Sequence, residues 1–387
     1  MFVNDPILLT KKLITFQSVT PEDGGSLEYV RSQLKDRKFS CNLFIENDVK
    51  NLFARWEPEK TYEKTIAFNG HVDVVPPGDP KQWKYGAFSG EIKSGRIYGR
   101  GAVDMKSAVA AFMCAASEAI LEYDLKSSIV IMLTSDEEGK AEFGTKAILD
   151  WIKKNKEKIN DCIVGEPTSS DKLGDTIKIG RRGSLNGIVY CKGKQGHVAY
   201  PEKAINPVEK IMEFLSELKS YQLDNGNDFF EPSSLNISSV ETNNLSSNVI
   251  PGECEAKFNV RYNDNYKASD LKNLIKNISQ EFNNSSKSKI RVEYRESGDS
   301  FITKPGHLSN IMSESIKKIT KLTPKLSTGG GTSDARFIQK FYPVIEFGLV
   351  GDTMHQANEN TKTKDIVLLK NIYKEFIRNY DQQSLNE

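Results

Sequence analysis

The sequence lacks most of the features that usually announce a function. Its 387 residues hold 53 Lys and Arg against 52 Asp and Glu, a formal net charge of +1. A nucleic-acid coat or a generally anion-attracting surface carries a clear basic excess, so both are excluded. Nothing is long and apolar enough to cross a bilayer, the most apolar run being Ala108–Ala116. The N-terminal segment is broken by Lys11 and Lys12 and has no apolar core of a secretory signal. Its five cysteines (Cys41, Cys114, Cys162, Cys191, Cys254) are odd in number, widely spaced and without a C-x-x-C pair. Reduced, mostly buried thiols in the cytoplasm are expected, and no disulfide scaffold. Also missing are a G-x-S-x-G elbow, a P-loop, a G-x-G-x-x-G turn after a strand and an H-E-x-x-H helix.

What is present is an alternation of apolar runs and helical patterns. Strands are predicted at Thr65–Val75, Ser128–Thr134 and Asp161–Gly165, with helices at Asp104–Glu122 and Ala141–Lys154. This is an α/β rhythm with a mostly parallel sheet. From about Gly183 the order becomes β-α-β-β-α-β: strands Ser184–Lys192, Ser234–Glu241, Cys254–Tyr262 and Lys289–Glu296, with helices Asn206–Lys219 and Ala268–Phe282. That is the ferredoxin-like split βαβ pattern. The α/β rhythm then resumes, with helices Asn310–Thr320, Ser333–Lys340 and Lys364–Tyr380 and a strand Val344–Phe347. The expected architecture is a discontinuous α/β catalytic domain, 1–182 and 297–387, interrupted by an inserted domain, 183–296.

Ligands of open α/β sheets gather beyond the carboxyl ends of the strands. There the chain places His71 and Asp73, then Asp136, Glu137 and Glu138, then Glu166, and after the last strand His355, while Asp104 opens a helix after Gly99-Arg100-Gly101. Singly, each has an ordinary reading as surface charge, cap or turn. Together, imidazoles and carboxylates on one sheet edge would repel without a cation. Neutral imidazole with carboxylate oxygen suits zinc, and the count suits two ions. His71, Asp104, Glu138, Glu166 and His355 are the expected ligands. Asp73, two residues from His71 on a strand, faces the same side and is expected to hold its imidazole. Glu137 is left over beside Glu138 as a general base, which a mere metal-binding module would not need.

The motifs Gly70-His71-Val72-Asp73, Gly99-Arg100-Gly101-Ala102-Val103-Asp104-Met105-Lys106, Ser135-Asp136-Glu137-Glu138-Gly139 and Gly165-Glu166-Pro167 resemble those of the di-zinc metallopeptidases and deacylases. Within that family the resemblance is to the desuccinylase branch, on Gly180-Arg181-Arg182-Gly183-Ser184, Gln195-Gly196-His197, Asn248-Val249-Ile250-Pro251 and Gly329-Gly330-Gly331-Thr332-Ser333-Asp334. The resemblance implies hydrolysis of N-succinyl-LL-2,6-diaminopimelate, with acetylornithine deacetylation or dipeptide cleavage as the alternatives. It implies two divalent ions, zinc, with cobalt as the alternative in the second site. Asp104 would bridge them after a cis peptide bond, with His71 and Glu166 completing one set and Glu138 and His355 the other. It further implies a homodimer in which His197 and Asn248 reach the neighbouring site, His197 stabilising the oxyanion. A substrate with three carboxylates needs cations and donors, for which Lys178, Arg181, Arg261, Tyr200, Asn248, Gly331, Thr332 and Ser333 are the candidates. The resemblance departs at Val350-Gly351-Asp352-Thr353-Met354, where some desuccinylases have an Asn. His307 is left without a role.

Overall fold

The computed structural model describes residues 2–60, 64–285 and 288–383. Two compact units emerge: residues 1–179, 303–327 and 333–387 form the first, and 180–302 with 328–332 the second. The inserted unit is thus wider than 183–296. The short pairing of Gly180–Arg181 with Phe301–Ile302 belongs to it, and neither segment has the length or alternation to be read as a strand.

The first unit is built on an eight-stranded sheet in the order Ser40–Glu46, Val49–Trp56, Ser128–Thr134, Thr65–His71, Asp161–Val164, Val344–Glu346, Thr176–Lys178, Lys325–Ser327. The four central strands are mutually parallel, so their carboxyl ends share one edge. They are buried on both faces, which is why they read as unbroken apolar runs. The first two strands form an antiparallel hairpin through Asn47-Asp48, both at positive φ, a turn chemistry the apolar periodicity does not reveal. The Ala-rich helix Lys106–Glu122 packs under the sheet against Thr363–Gln383, and Phe68, Phe112 and Tyr373 interlock there with ring centroids 4.3–5.9 Å apart. This packing fixes the floor on which the strand ends stand.

Three predicted boundaries shift for physical reasons. The strand predicted to Val75 ends at His71, because Val74 leaves the sheet to bond Ser18 and Thr20. The helix predicted from Asp104 starts at Lys106, so Asp104 is not its cap. The helix predicted from Ala141 starts at Thr145, since the Asp136 carboxylate accepts the N–H groups of residues 140–143 and holds them as a loop.

The second unit carries a four-stranded antiparallel sheet in the order Ser234–Glu241, Glu253–Tyr262, Gly183–Lys192, Ile290–Gly298. Helices Pro207–Ser220 and Ala268–Ser285 pack on one face over Leu185, Val189, Ile211, Phe214, Phe258 and Ile275. The helix predicted to end at Phe282 runs on to Ser285; residues 286–287 lie outside the described ones. The two edges differ. Ile290–Gly298 alternates Arg291, Glu293 and Arg295, whereas Ser234–Glu241 has no charge before its last residue and exposes Ile237 and Val240.

Candidate metal centre

The carboxyl edge of the first sheet gathers five side chains from separate segments. His71 ends its strand, level with Thr134 on the neighbouring one. Its Nδ1 donates to the backbone carbonyl of Asp73 at 2.9 Å, which directs Nε2 at Asp104 Oδ1, 3.1 Å away, and Glu166 Oε1, 3.7 Å away. The other oxygen of Asp104 lies 3.3 Å from His355 Nε2, and His355 Nε2 lies 3.0 Å from Glu138 Oε1. Two sets result, His71–Asp104–Glu166 and Asp104–Glu138–His355, each with ligand atoms within 4.8 Å of one another. Asp104 belongs to both. The first set is buried; in the second Glu138 is partly buried and His355 half-exposed, at φ 62°.

Asp73 differs from expectation. Its carboxylate lies 3.7 Å from His71 Nδ1, beyond a hydrogen bond, and the backbone carbonyl takes that role. The carboxylate instead accepts the backbone N–H groups of Glu137 and Glu138 at 3.1–3.3 Å. Strand alternation put Asp73 on the right side but could not foresee that the chain turns after His71. Asp136, which the sequence places on the same edge without a role, folds the loop that follows these two glutamates. The Asp104 turn depends on Gly101 at φ 85°, where a Cβ would come within 2.9 Å of Lys106 and Val74. The Asp104–Met105 bond is cis.

The electrostatics of this group are unbalanced. Burial, reinforced by Asp104 and Glu137, drives Glu166 well above the carboxylate range, and burial with Asp334 does the same to Glu137. Burial opposes a charge on His71, yet its bond to Asp104 and the surrounding carboxylates outweigh that and raise it. His355 is pushed up to about 10 by its contacts with Asp104 and Glu138. Those two imidazoles in turn hold Asp104 well below its usual range against its burial. Glu166 Oε1 is buried with no hydrogen-bond partner. An orphaned buried oxygen beside mutually repelling carboxylates and neutralisable imidazoles fits divalent cations, and the N/O donor set fits zinc. One buried cation escaped the sequence reading. Lys106, at the start of the Ala-rich helix, donates to the Phe16 carbonyl at 2.9 Å and is lowered to about 7 by burial.

With this geometry in place, comparison with known proteins becomes informative. A family model described as Peptidase family M20/M25/M40 matches residues 67–379. The chain belongs to that family. It is 47% identical over 378 residues to the succinyl-diaminopimelate desuccinylase of Wolbachia pipientis wMel, spanning 97% of this chain and 93% of that protein. It is 44% identical over 380 residues to the protein of the same name from Pelagibacter ubique, spanning 97% and 98%. Among solved structures, the M20 family metallo-carboxypeptidase Sso-CP2 from Sulfolobus solfataricus superposes with a TM-score of 0.79 at 19% identity, covering 97% of this chain and 99% of that one. A dinuclear metal-binding peptidase of the M20 family from Bacillus subtilis does so with a TM-score of 0.71 at 14% identity, covering 97% and 98%. At such identities these likenesses show the M20 fold, α/β with a mixed, mostly parallel main sheet. No helix among the described residues is long and apolar enough to cross a membrane.

The other candidates distribute unevenly. In the second unit Arg261 is half-buried and lowered by burial and by the charges of Arg182 and Arg181, so all three guanidiniums of the candidate motif converge. Arg261 Nη1 and Arg182 Nε are buried without hydrogen-bond partners. Arg182, absent from the candidates above, adjoins this group and also faces Glu231 at 3.5 Å. Arg181 Nη1 donates to the Gly329 carbonyl at 3.4 Å, and a Cβ on Gly330 would meet it at 2.6 Å. Gly331 is exposed and Thr332 partly buried beside it. Ser333, in the first unit, is fully buried and donates to Glu346 Oε1 at 2.8 Å, a contact that occupies its hydroxyl. Lys178 Nζ donates to Ser327 Oγ at 3.1 Å. His197 and Asn248 sit on one small ribbon, Gly196–His197 paired with Val249–Ile250, and both are exposed together with Tyr200. Ala199 N–H donates to His197 Nδ1 at 3.1 Å, which leaves the proton of the neutral ring on Nε2. His307 lies by Lys64 and Tyr380.

Proposed function

We propose that the chain is a succinyl-diaminopimelate desuccinylase that hydrolyses N-succinyl-LL-2,6-diaminopimelate to succinate and LL-2,6-diaminopimelate, a step of lysine and diaminopimelate biosynthesis in the cytoplasm. The observation that carries this reading is the pair of ligand sets sharing Asp104, with Glu137 beside them as an acid unused by either. The desuccinylase names of full-length relatives at 44–47% identity support the substrate. Asp104 would bridge two zinc ions, or zinc and cobalt, with His71 and Glu166 on one and Glu138 and His355 on the other. When bound, such ions polarise the scissile carbonyl and lower the pKa of the attacking water. Glu137 takes the proton of that water and passes it to the departing amine as the amide C–N bond breaks. Asp73 keeps Glu137 in place through the backbone. Arg181, Arg182 and Arg261 supply forked donors for substrate carboxylates.

The inserted unit is proposed to be a ferredoxin-like lid and dimerisation domain. Its edge strand Ser234–Glu241, uncharged before Glu241, and the exposed apolar side chains Met212, Ile237 and Val240 suit strand addition by a second copy. In that dimer His197, protonated on Nε2, would donate to the oxyanion in the partner's site, with Asn248 next to it. A hydrolysis panel on zinc-loaded protein tests the whole: N-succinyl-LL-2,6-diaminopimelate, N-acetylornithine and simple dipeptides. Preferential release of succinate is expected. Preference for acetylornithine would overturn the substrate and leave the metal chemistry standing.

A further inference from the structure

The ligands Asp104 and His355 stand 251 positions apart (355 − 104), on two loops that exchange charged side chains. Glu359, four residues after His355, is fully buried. Its Oε1 accepts the backbone N–H of Val103 at 2.8 Å and of Asp104 itself at 3.2 Å. Its Oε2 accepts Arg100 Nη1 at 2.9 Å. Arg100, four residues before Asp104, is 3% exposed and donates in the opposite direction: Nη2 to the carbonyls of His355 and Pro76 at 3.4 Å, Nη1 to that of Gln356 at 3.1 Å. Its guanidinium also lies 5.3 Å over the Trp83 ring. Each loop therefore grips the backbone at the other loop's ligand, and the two grips meet in one ion pair.

A buried ion pair is weak evidence for stability, because desolvation offsets its Coulomb energy. What it holds is the better clue. His71 is fixed without it, by strand register and the Asp73 carbonyl, and Glu166 follows a strand directly. His355 has no strand under it, sits at positive φ and is half-exposed. We propose that Arg100 and Glu359 are positioning residues that set His355 against Asp104 and so govern the affinity of the Asp104–Glu138–His355 set more strongly than that of the His71–Asp104–Glu166 set, which shares only Asp104 with it. This rests on the two-ion reading above.

The test is a competitive titration of metal-free protein with Zn²⁺ against a chromophoric chelator, resolving stepwise dissociation constants for wild type, Glu359→Gln and Arg100→Met/Glu359→Met. Removing one partner of a buried pair can compromise the fold; the double variant leaves no buried charge and keeps the test interpretable. Partners behind metal ligands typically control affinity by about 10–100-fold, and a weakening of that size is expected in one stepwise constant, with a smaller shift in the other through the shared Asp104. Arg100→Lys, which keeps charge but loses the fork, should fall between. Equal shifts in both constants, or none, would overturn the positioning role. A wild type that binds a single ion would overturn the two-ion reading along with it.

Discussion

The two units each contain a cluster of like charge, and the signs are opposite, although Arg182 of the second also faces Glu231 at 3.5 Å. In the first, Asp104, Glu137, Glu138 and Glu166 crowd around two imidazoles, and one glutamate oxygen has no partner. In the second, Arg181, Arg182 and Arg261 converge, and two of their buried N–H groups have none. A folded chain retains such arrangements at a cost, since buried polar groups without partners are destabilising by about 1–3 kcal/mol each. Each cluster suits by its sign the role proposed for it: cations in the first unit, carboxylates in the second. The near-zero net charge conceals both, because it sums them.

The comparison breaks most visibly at Glu137. Glu137→Ala removes an acid that belongs to neither ligand set, so metal analysis should still find two ions per chain while kcat falls by about 10²–10⁴-fold, the range of a general acid–base contribution. Loss of metal in that variant would make Glu137 a ligand instead. On the opposite side, Arg261→Met should raise KM for the succinylated substrate by about 10–100-fold, matching the ~1.5–3 kcal/mol of a charge-assisted hydrogen bond, with kcat little changed. An unchanged KM would remove the arginine cluster from substrate binding.

How much of this was legible in the sequence depends on whether backbone or side chain carries the information. The central strands were legible because burial on both faces writes uninterrupted apolar runs, and their parallel order put His71, Glu138 and Glu166 on one edge. Asp73 was placed on the correct side but given the wrong contact, since two-residue periodicity ends where the strand does. Ser333 looked like a substrate donor because a hydroxyl in a Gly-rich turn usually is available; its burial against Glu346 depends on a strand formed eleven residues later (344 − 333). Arg100 and Glu359 stood inside or beside the quoted motifs unnoticed. Their meaning lies in a pairing across 259 positions that no local pattern encodes.

A third uncovered surface extends the comparison to apolar chemistry. The edge Ser234–Glu241 lacks the charges that protect Ile290–Gly298, so in the proposed dimer Ile237→Lys should halve the mass in solution, read by light scattering, while Arg295→Ala should leave it unchanged. Equal masses for wild type and Ile237→Lys would leave that edge without a partner strand.

The smallest effect is also the most diagnostic, because it runs against the usual direction of mutation. If the two clusters are held for ligands rather than for folding, neutralising one member should stabilise the unliganded chain. Glu166→Gln removes a group whose ionised form burial and neighbouring carboxylates disfavour, and Arg261→Met removes a charge that burial and two other arginines disfavour. Each should raise the stability of metal-free, substrate-free protein by about 0.5–2 kcal/mol, the usual yield when a functional constraint is relaxed. Denaturant melts measure this directly. Adding zinc should then reverse the order for Glu166→Gln alone: the wild type gains the linkage stabilisation of two sites, and the variant, short of a ligand in the His71–Asp104–Glu166 set, gains less. A variant less stable than wild type in the metal-free state would mean that the acidic cluster contributes to folding in its own right, and that its unbalanced charge is compensated within the chain.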